Sequence, residues 1–211
     1  MKFEQNRAEE RHGRILDAAL KVFARKGYRD SSVDDIAGQS DTSKGGVYFH
    51  FQGKQAIFLA LMDRAASRLL DRVEAAIAHE SDPVARADAA LHVVLRTFAR
   101  HRALARLFLI EAYGAGREFH ARLMEFHELF IGVIKRHLDD AVAAGVIEPV
   151  DTELAGRIWF GALNEIITYW LLTGRPGPLE DSYASLRPLL FRSVGAGLPP
   201  PRGADGAKDA P

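Results

Sequence analysis

Residues 42–51 read TSKGGVYFHF, and how this stretch is read decides the fold. Two adjacent glycines stand in otherwise helical sequence, although each costs about 1 kcal/mol against alanine in a helix interior. Three aromatic residues and a histidine then crowd the next five positions. On a helical wheel Val47 and Phe51 share one face, four residues apart, and point to a core with Ile36 and Ala37. Thr42, Gly45 and Phe49 fall on the opposite face with Gly46 beside them, so both glycines are expected to face outward. A bare outer face lets a helix backbone press into a groove or against phosphates. Lys44 and Tyr48 on one flank, and Ser43 and His50 on the other, supply donors where the two strands of a major groove would run. Phe49 offers an apolar ring suited to a thymine methyl. Lys54 opens the next helix, where its ammonium and the nearby N–H groups suit a further phosphate.

Working outward, helical periodicity dominates the chain, and strand-like alternation is scarce. A first helix over about 7–26 carries Ile15, Leu16, Ala19, Leu20, Val22 and Phe23 as an apolar stripe and stops at Gly27. Ser32 with Asp35 three residues on resembles a capping box that starts a short helix over 33–39. The glycine-bearing helix follows at 43–49, which makes a helix-turn-helix packed on the first helix. Further helices are expected over 54–79, 83–100, 102–113, 117–144, 152–173 and 179–195, with stops at Gly145 and Gly174 and a start at Asp151 or Thr152. The expected fold is therefore all-α with about nine helices. Residues 1–53 form a three-helix DNA-binding unit, 54–197 a ligand-binding and dimerisation body, and 198–211 a disordered tail without apolar anchors.

Composition limits the alternatives. The chain has 211 residues, 47% hydrophobic and 27% charged, and 28 basic residues balance 28 acidic ones. Overall charge does not advertise nucleic acid, and residues 1–54 hold ten Lys and Arg against eight Asp and Glu, so binding must come from local arrangement. The acids Asp34 and Asp35 are read as lying at a helix start, away from the groove face. There is no cysteine, which excludes thiol catalysis and cysteine-ligated zinc. No apolar run approaches membrane-spanning length and no leader is read at the N-terminus, so a cytoplasmic protein with no membrane partner is expected. Walker, dinucleotide and HExxH patterns are absent, and no enzyme or cofactor is expected. His120 and His127 share a face, but no carboxylate completes a metal set.

Residues 15–58, ILDAALKVFARKGYRDSSVDDIAGQSDTSKGGVYFHFQGKQAIF, resemble the DNA-binding region of the TetR/AcrR family of transcriptional regulators. The resemblance rests on Ala18, Ala19, Phe23, Gly27, Tyr28, Ser32, Val33, Ile36, Ala37, Ser43-Lys44-Gly45, Val47-Tyr48, Phe51 and Lys54 at matching spacing. It implies DNA contacts at Thr42, Lys44, Gly46, Tyr48, Phe49, His50 and Lys54, a double-stranded pseudo-palindromic operator, and a homodimer formed through the last two helices. Asp41 departs from the family's usual glycine or alanine, and Thr42 from its small aliphatic. An acid at that position could cap the third helix and, if exposed, would oppose DNA.

The segment 152–173 is apolar on nearly every face, with small Gly156, Gly161 and Ala162, as a helix buried by its own body and a partner would be. Tyr183, Leu186, Leu189, Leu190 and Val194 of the last helix are read into the same bundle. The expected mechanism is repression by operator occupancy, with ligand in the body shifting the helix over 54–79. The expected effector pocket comprises Phe98, Arg106, Phe108, Glu111, Tyr113, Phe126, Phe130, Trp159, Asn164 and Trp170. The stretch GALNEIITYWLLTG loosely resembles members that answer to fatty acyl-CoA, which suggests a small hydrophobic effector. A drug-like aromatic effector and a non-catalytic helical adaptor are the alternative readings.

Overall fold

The structure is a computed structural model that describes residues 2–114 and 116–197; the expected tail over 198–211 lies outside the described residues. Nine α-helices and no strand occur among the described residues. α1 (Lys2–Lys26) begins five residues earlier than the apolar stripe indicates and ends where Gly27 adopts φ 79°. α2 (Val33–Gln39) starts with the expected capping box: the Ser32 hydroxyl accepts from Asp35 N, and the Asp35 carboxylate accepts from Ser32 N. α3 (Lys44–His50) follows after a turn in which Asp41 has a positive φ of 51°, alone among the described non-glycine residues. Asp41 does not cap α3. Ser43 does, accepting from Gly46 N at 3.1 Å, while Asp41 turns the chain in a conformation that aspartate tolerates better than most side chains.

α4 (Lys54–Ile77) and α5 (Pro83–Arg100) lead into the body, with Pro83 in the first turn of α5 and Asp82 as its cap. α6 (Arg102–Arg106) is shorter than expected. Its pitch widens into a π-helical turn over Leu107–Glu111 and then tightens into a 3₁₀ turn over Ala112–Gly114. α7 (Arg117–Ala143) and α8 (Thr152–Thr173) pack antiparallel, and α9 (Ser182–Ser193) follows a 3₁₀ turn over Leu179–Asp181. The close approach of α7 and α8 explains Gly156: a Cβ there would lie 3.3 Å from the Ile131 carbonyl oxygen. Arg157 clips the same pair of helices, reaching both Glu128 oxygens at 2.8 and 3.0 Å.

The apolar core does not stop at the α3–α4 boundary. Ile15, Phe23, Ile36, Val47 and Phe51 of the first three helices share one cluster with Phe58 and Leu61 of α4 and with Leu107, Ala112, Phe119 and Leu123 of the body. Tyr28, just after α1, sits at this junction. Its ring meets Phe23, Phe58 and Phe119 at 5.6, 4.9 and 5.0 Å. A second cluster joins α5, α7, α8 and α9. It encloses a charged pair in which Arg187 Nε donates to Asp88 Oδ1 at 2.7 Å and the Tyr183 hydroxyl to the same oxygen at 2.6 Å. No helix among the described residues is long and apolar enough to cross a membrane.

Candidate nucleic-acid interface and effector cavity

The wheel reading of α3 holds on its inner and outer faces. Val47 is fully buried and Phe51 nearly so, whereas Phe49 is 82% exposed and Tyr48 50% exposed. Gly45 faces open space: a Cβ placed there would meet no atom within 4 Å. Gly46 departs from the expectation. It is half-buried, and a Cβ there would lie 2.8 Å from Thr42 Cγ2 and 3.2 Å from Ser43 Oγ. Its lack of a side chain serves the tight first turn of α3. Thr42 is also committed locally, its hydroxyl donating to the Ser40 carbonyl at 3.2 Å.

His50 and Lys54 are placed differently from the sequence reading, and Lys44 has a partner it did not foresee. His50 turns back toward α1, its ring 6.2 Å from that of His12, and its Nε2 is buried with no hydrogen-bond partner among the described residues. The ring thus packs toward α1 and is not free on the outer flank of α3. Lys54 spends its three N–H groups on the carbonyls of Tyr28, Arg29 and Ser31 at 2.7, 3.0 and 2.7 Å, and lies 4.5 Å over the Tyr28 ring. Its ammonium is a clasp on the α1–α2 turn, and the N–H groups at the start of α4 have no side-chain cap. Lys44 points outward as expected but pairs with Asp34 at 2.9 Å, and the hydrogen bond to that carboxylate raises its pKa. Asp34 therefore lies on the Lys44 flank of α3, not away from it, whereas Asp35 is turned toward Lys26. Ser43 is exposed, with its oxygen occupied as the cap acceptor.

In the body a cavity of about 430 Å³ runs between α4, α5, α7, α8 and α9 and reaches Leu20 of α1. Of the expected pocket residues Phe98, Phe108, Phe126, Phe130, Trp159 and Asn164 line it. The other four do not. Arg106 is exposed and donates to the Leu171 carbonyl at 3.4 Å. Tyr113 is partly exposed and packs edge-on to His120. Trp170 belongs to the second core cluster, with its Nε1 donating to the Gly177 carbonyl at 3.2 Å and Arg102 stacked on its ring. Glu111 ends the π-helical turn and accepts from Tyr28 N at 3.2 Å, so it joins the body to the head. Helical spacing could not separate these cases, because it gives a residue's face but not the element opposite.

The sequence reading also missed the cavity's rim. Arg64, Arg68 and Arg72 follow one another at four-residue steps on α4 and, with His101, line the cavity. His101 is held below its usual pKa, first by burial and then by the charges of Arg72, Arg100 and Arg68. Arg64 is tied to Asp17 at 2.8 Å, whereas Arg68 and Arg72 have no acidic partner among the described residues. The arginine spacing on α4 was the available signal. Among the described residues no group of three or more His, Asp or Glu side chains is placed to hold a metal.

A helix-turn-helix head that shares its core with a hollow helical body defines a one-component regulator, and comparison with known proteins gives its family. The chain belongs to the TetR family: residues 15–61 match "Bacterial regulatory proteins, tetR family", and residues 80–186, half of the chain, match "Tetracyclin repressor-like, C-terminal domain". It is a ligand-responsive DNA-binding transcriptional regulator. It is 24% identical over 181 residues to the fatty acid metabolism regulator protein of Bacillus subtilis (strain 168), covering 85% of this chain and 93% of that one. It is 29% identical over 171 residues to the HTH-type transcriptional regulator SrpR of Pseudomonas putida, covering 79% of this chain and 76% of SrpR. Among solved structures it is similar to the transcriptional regulator FadR of Bacillus subtilis in complex with stearoyl-CoA, with TM-score 0.78, 24% identity, and coverage of 88% of this chain and 98% of that one.

Proposed function

We propose that this regulator is a cytoplasmic repressor that binds a pseudo-palindromic operator as a homodimer and answers to an anionic amphiphile of the fatty acyl-CoA class. The observation that carries the effector reading is the pairing of an apolar cavity with a rim of Arg68, Arg72 and His101, on whose charge Arg100 also acts. Apolar walls suit an acyl chain, and unpaired guanidinium groups suit the phosphates of a nucleotide head. The B. subtilis relatives point the same way: one is named for fatty acid metabolism and one was solved with stearoyl-CoA. A neutral aromatic effector would use the phenylalanine walls but leave this cationic rim idle.

The DNA reading assigns base contact to Phe49 and Gly45, and phosphate contact to Tyr48, Lys44, Ser43 and the N–H groups opening α4. The dimer reading rests on α8. Leu154, Ile158, Gly161, Glu165, Tyr169 and Leu172 form one exposed stripe at three- and four-residue steps, and its four large apolar members are each about half-exposed. Of the α9 residues expected in the bundle, only Leu189 is exposed, at 69%; Leu186, Leu190 and Val194 serve the chain's own core and Tyr183 bonds Asp88. Two such α8 stripes facing each other would cover what a single chain leaves bare.

For coupling, cavity-lining Phe108 packs edge-on against Phe58 at 5.7 Å, and Phe58 packs against Tyr28, whose carbonyl is held by Lys54. A chain that displaces Phe108 therefore moves α4 relative to the head. The test compares stearoyl-CoA, coenzyme A and stearate by thermal shift on the whole protein. Stearoyl-CoA should stabilise the fold by about 2.7 kcal/mol at a hundred times its Kd. Arg68→Ala with Arg72→Ala should weaken the thioester about tenfold or more and leave stearate unchanged. Equal binding of thioester and acid by the native protein would remove the nucleotide-head reading.

A further inference from the structure

A saturated acyl chain asks only for apolar walls, yet this cavity is not apolar throughout. His127 of α7 and Asn164 of α8 line it, and neither side chain hydrogen-bonds to another described residue. The register of the two antiparallel helices puts them on neighbouring turns. Gly156 lies against Ile131, and the ring of Phe160 is 4.7 Å from that of His127. Asn164, one turn beyond Phe160, thus faces the turn of α7 next to His127. Burial holds the imidazole below its usual pKa, against a smaller opposing effect of Glu128, so at neutral pH it is uncharged with one donor and one acceptor nitrogen. The Asn164 amide adds two donors and an acceptor. Polar groups left unpaired against hydrocarbon are costly, and a plain methylene chain filling this part of the cavity would leave both so.

We propose that the natural effector carries an oxygen function along its chain, a hydroxyl or keto group, and that His127 and Asn164 read it. This rests on the acyl-CoA reading above and narrows it. A hydroxyl there donates to the unprotonated imidazole nitrogen and accepts from the Asn164 amide, while a keto oxygen accepts from both. The same pair disfavours the saturated hydrocarbon, which makes it a specificity device rather than an affinity device alone.

The experiment titrates the full chain with stearoyl-CoA, with the positional isomers of hydroxystearoyl-CoA, and with the corresponding ketostearoyl-CoAs. At least one oxygenated thioester should bind about tenfold tighter than stearoyl-CoA. In a His127→Phe, Asn164→Leu variant that preference should vanish and stearoyl-CoA should bind tighter than in the native protein. His127→Gln, which keeps a donor and an acceptor, should retain a reduced preference. If every oxygenated isomer binds the native protein no tighter than stearoyl-CoA, the inference is overturned while the acyl-CoA reading stands. If no thioester binds at all, both fall together. The series on the native protein decides by itself, whether or not the variants fold.

Discussion

At the scale of single residues, the paired glycines of α3 have separate reasons, and substitution separates them. Gly45 is open outward, so Gly45→Ala should stabilise the protein by about 0.8–1 kcal/mol through helix propensity while lowering operator affinity, as read by thermal melting and by gel shift. An unchanged affinity would mean that the outer face of α3 does not enter a groove. Gly46→Ala would instead push Thr42 out of the turn. The Asp34–Lys44 pair gives a second case. Asp34→Asn removes an acid from the groove side and releases Lys44 for phosphate, so affinity at low salt should rise and its dependence on salt should steepen. Much of this is legible in the sequence: Val47 inward, Phe49 outward and the Ser32–Asp35 box all follow from spacing within one helix turn. The placements of His50 and Lys54 are not, because their partners His12 and Tyr28 lie 38 and 26 residues away along the chain.

At the scale of elements, helix limits are readable because glycines at Gly27, Gly145 and Gly174 take positive φ and Asp82 and Asp151 cap their helices. The π-helical turn over Leu107–Glu111 is not, since its apolar pattern differs little from that of an ordinary helix. That turn brings Glu111 to Tyr28 N, one of the polar links between body and head. Glu111→Ala should leave operator binding by the ligand-free protein within a few-fold of native but weaken the effect of ligand on it. The measurement is operator affinity with and without stearoyl-CoA. A coupling factor unchanged in the variant would place the communication wholly in the Phe108–Phe58 contact.

For the whole molecule, acid is the revealing variable. Burial is the leading cause that holds His12, His127 and His137 below their usual pKa, so the folded protein binds fewer protons than the unfolded chain once pH falls below about 6.5. Stability should therefore fall as pH drops through and below that value, seen as a decreasing melting temperature. His127→Phe should flatten the slope. Asp35 behaves differently. Hydrogen bonds from Lys26 and Ser32 lower its pKa to about 2, so its contribution is complete above the usual carboxylate range and lost only as pH falls toward that value. The buried Asp88–Arg187 pair holds α5 to α9, and Asp88→Ala should cost about 3–5 kcal/mol by removing the carboxylate paired with a buried guanidinium.

The core that crosses from the first three helices into α7 has a consequence for how such regulators can be recombined. Phe119, Leu123, Leu107 and Ala112 complete the packing under α1 and α4, so a reading head cut at the α3–α4 junction and grafted onto another body arrives without its floor. A chimaera should keep native melting behaviour only when those four positions travel with the head. The natural unit of exchange in this chain is thus an interleaved set of side chains drawn from the first and the middle parts of the sequence, rather than a segment.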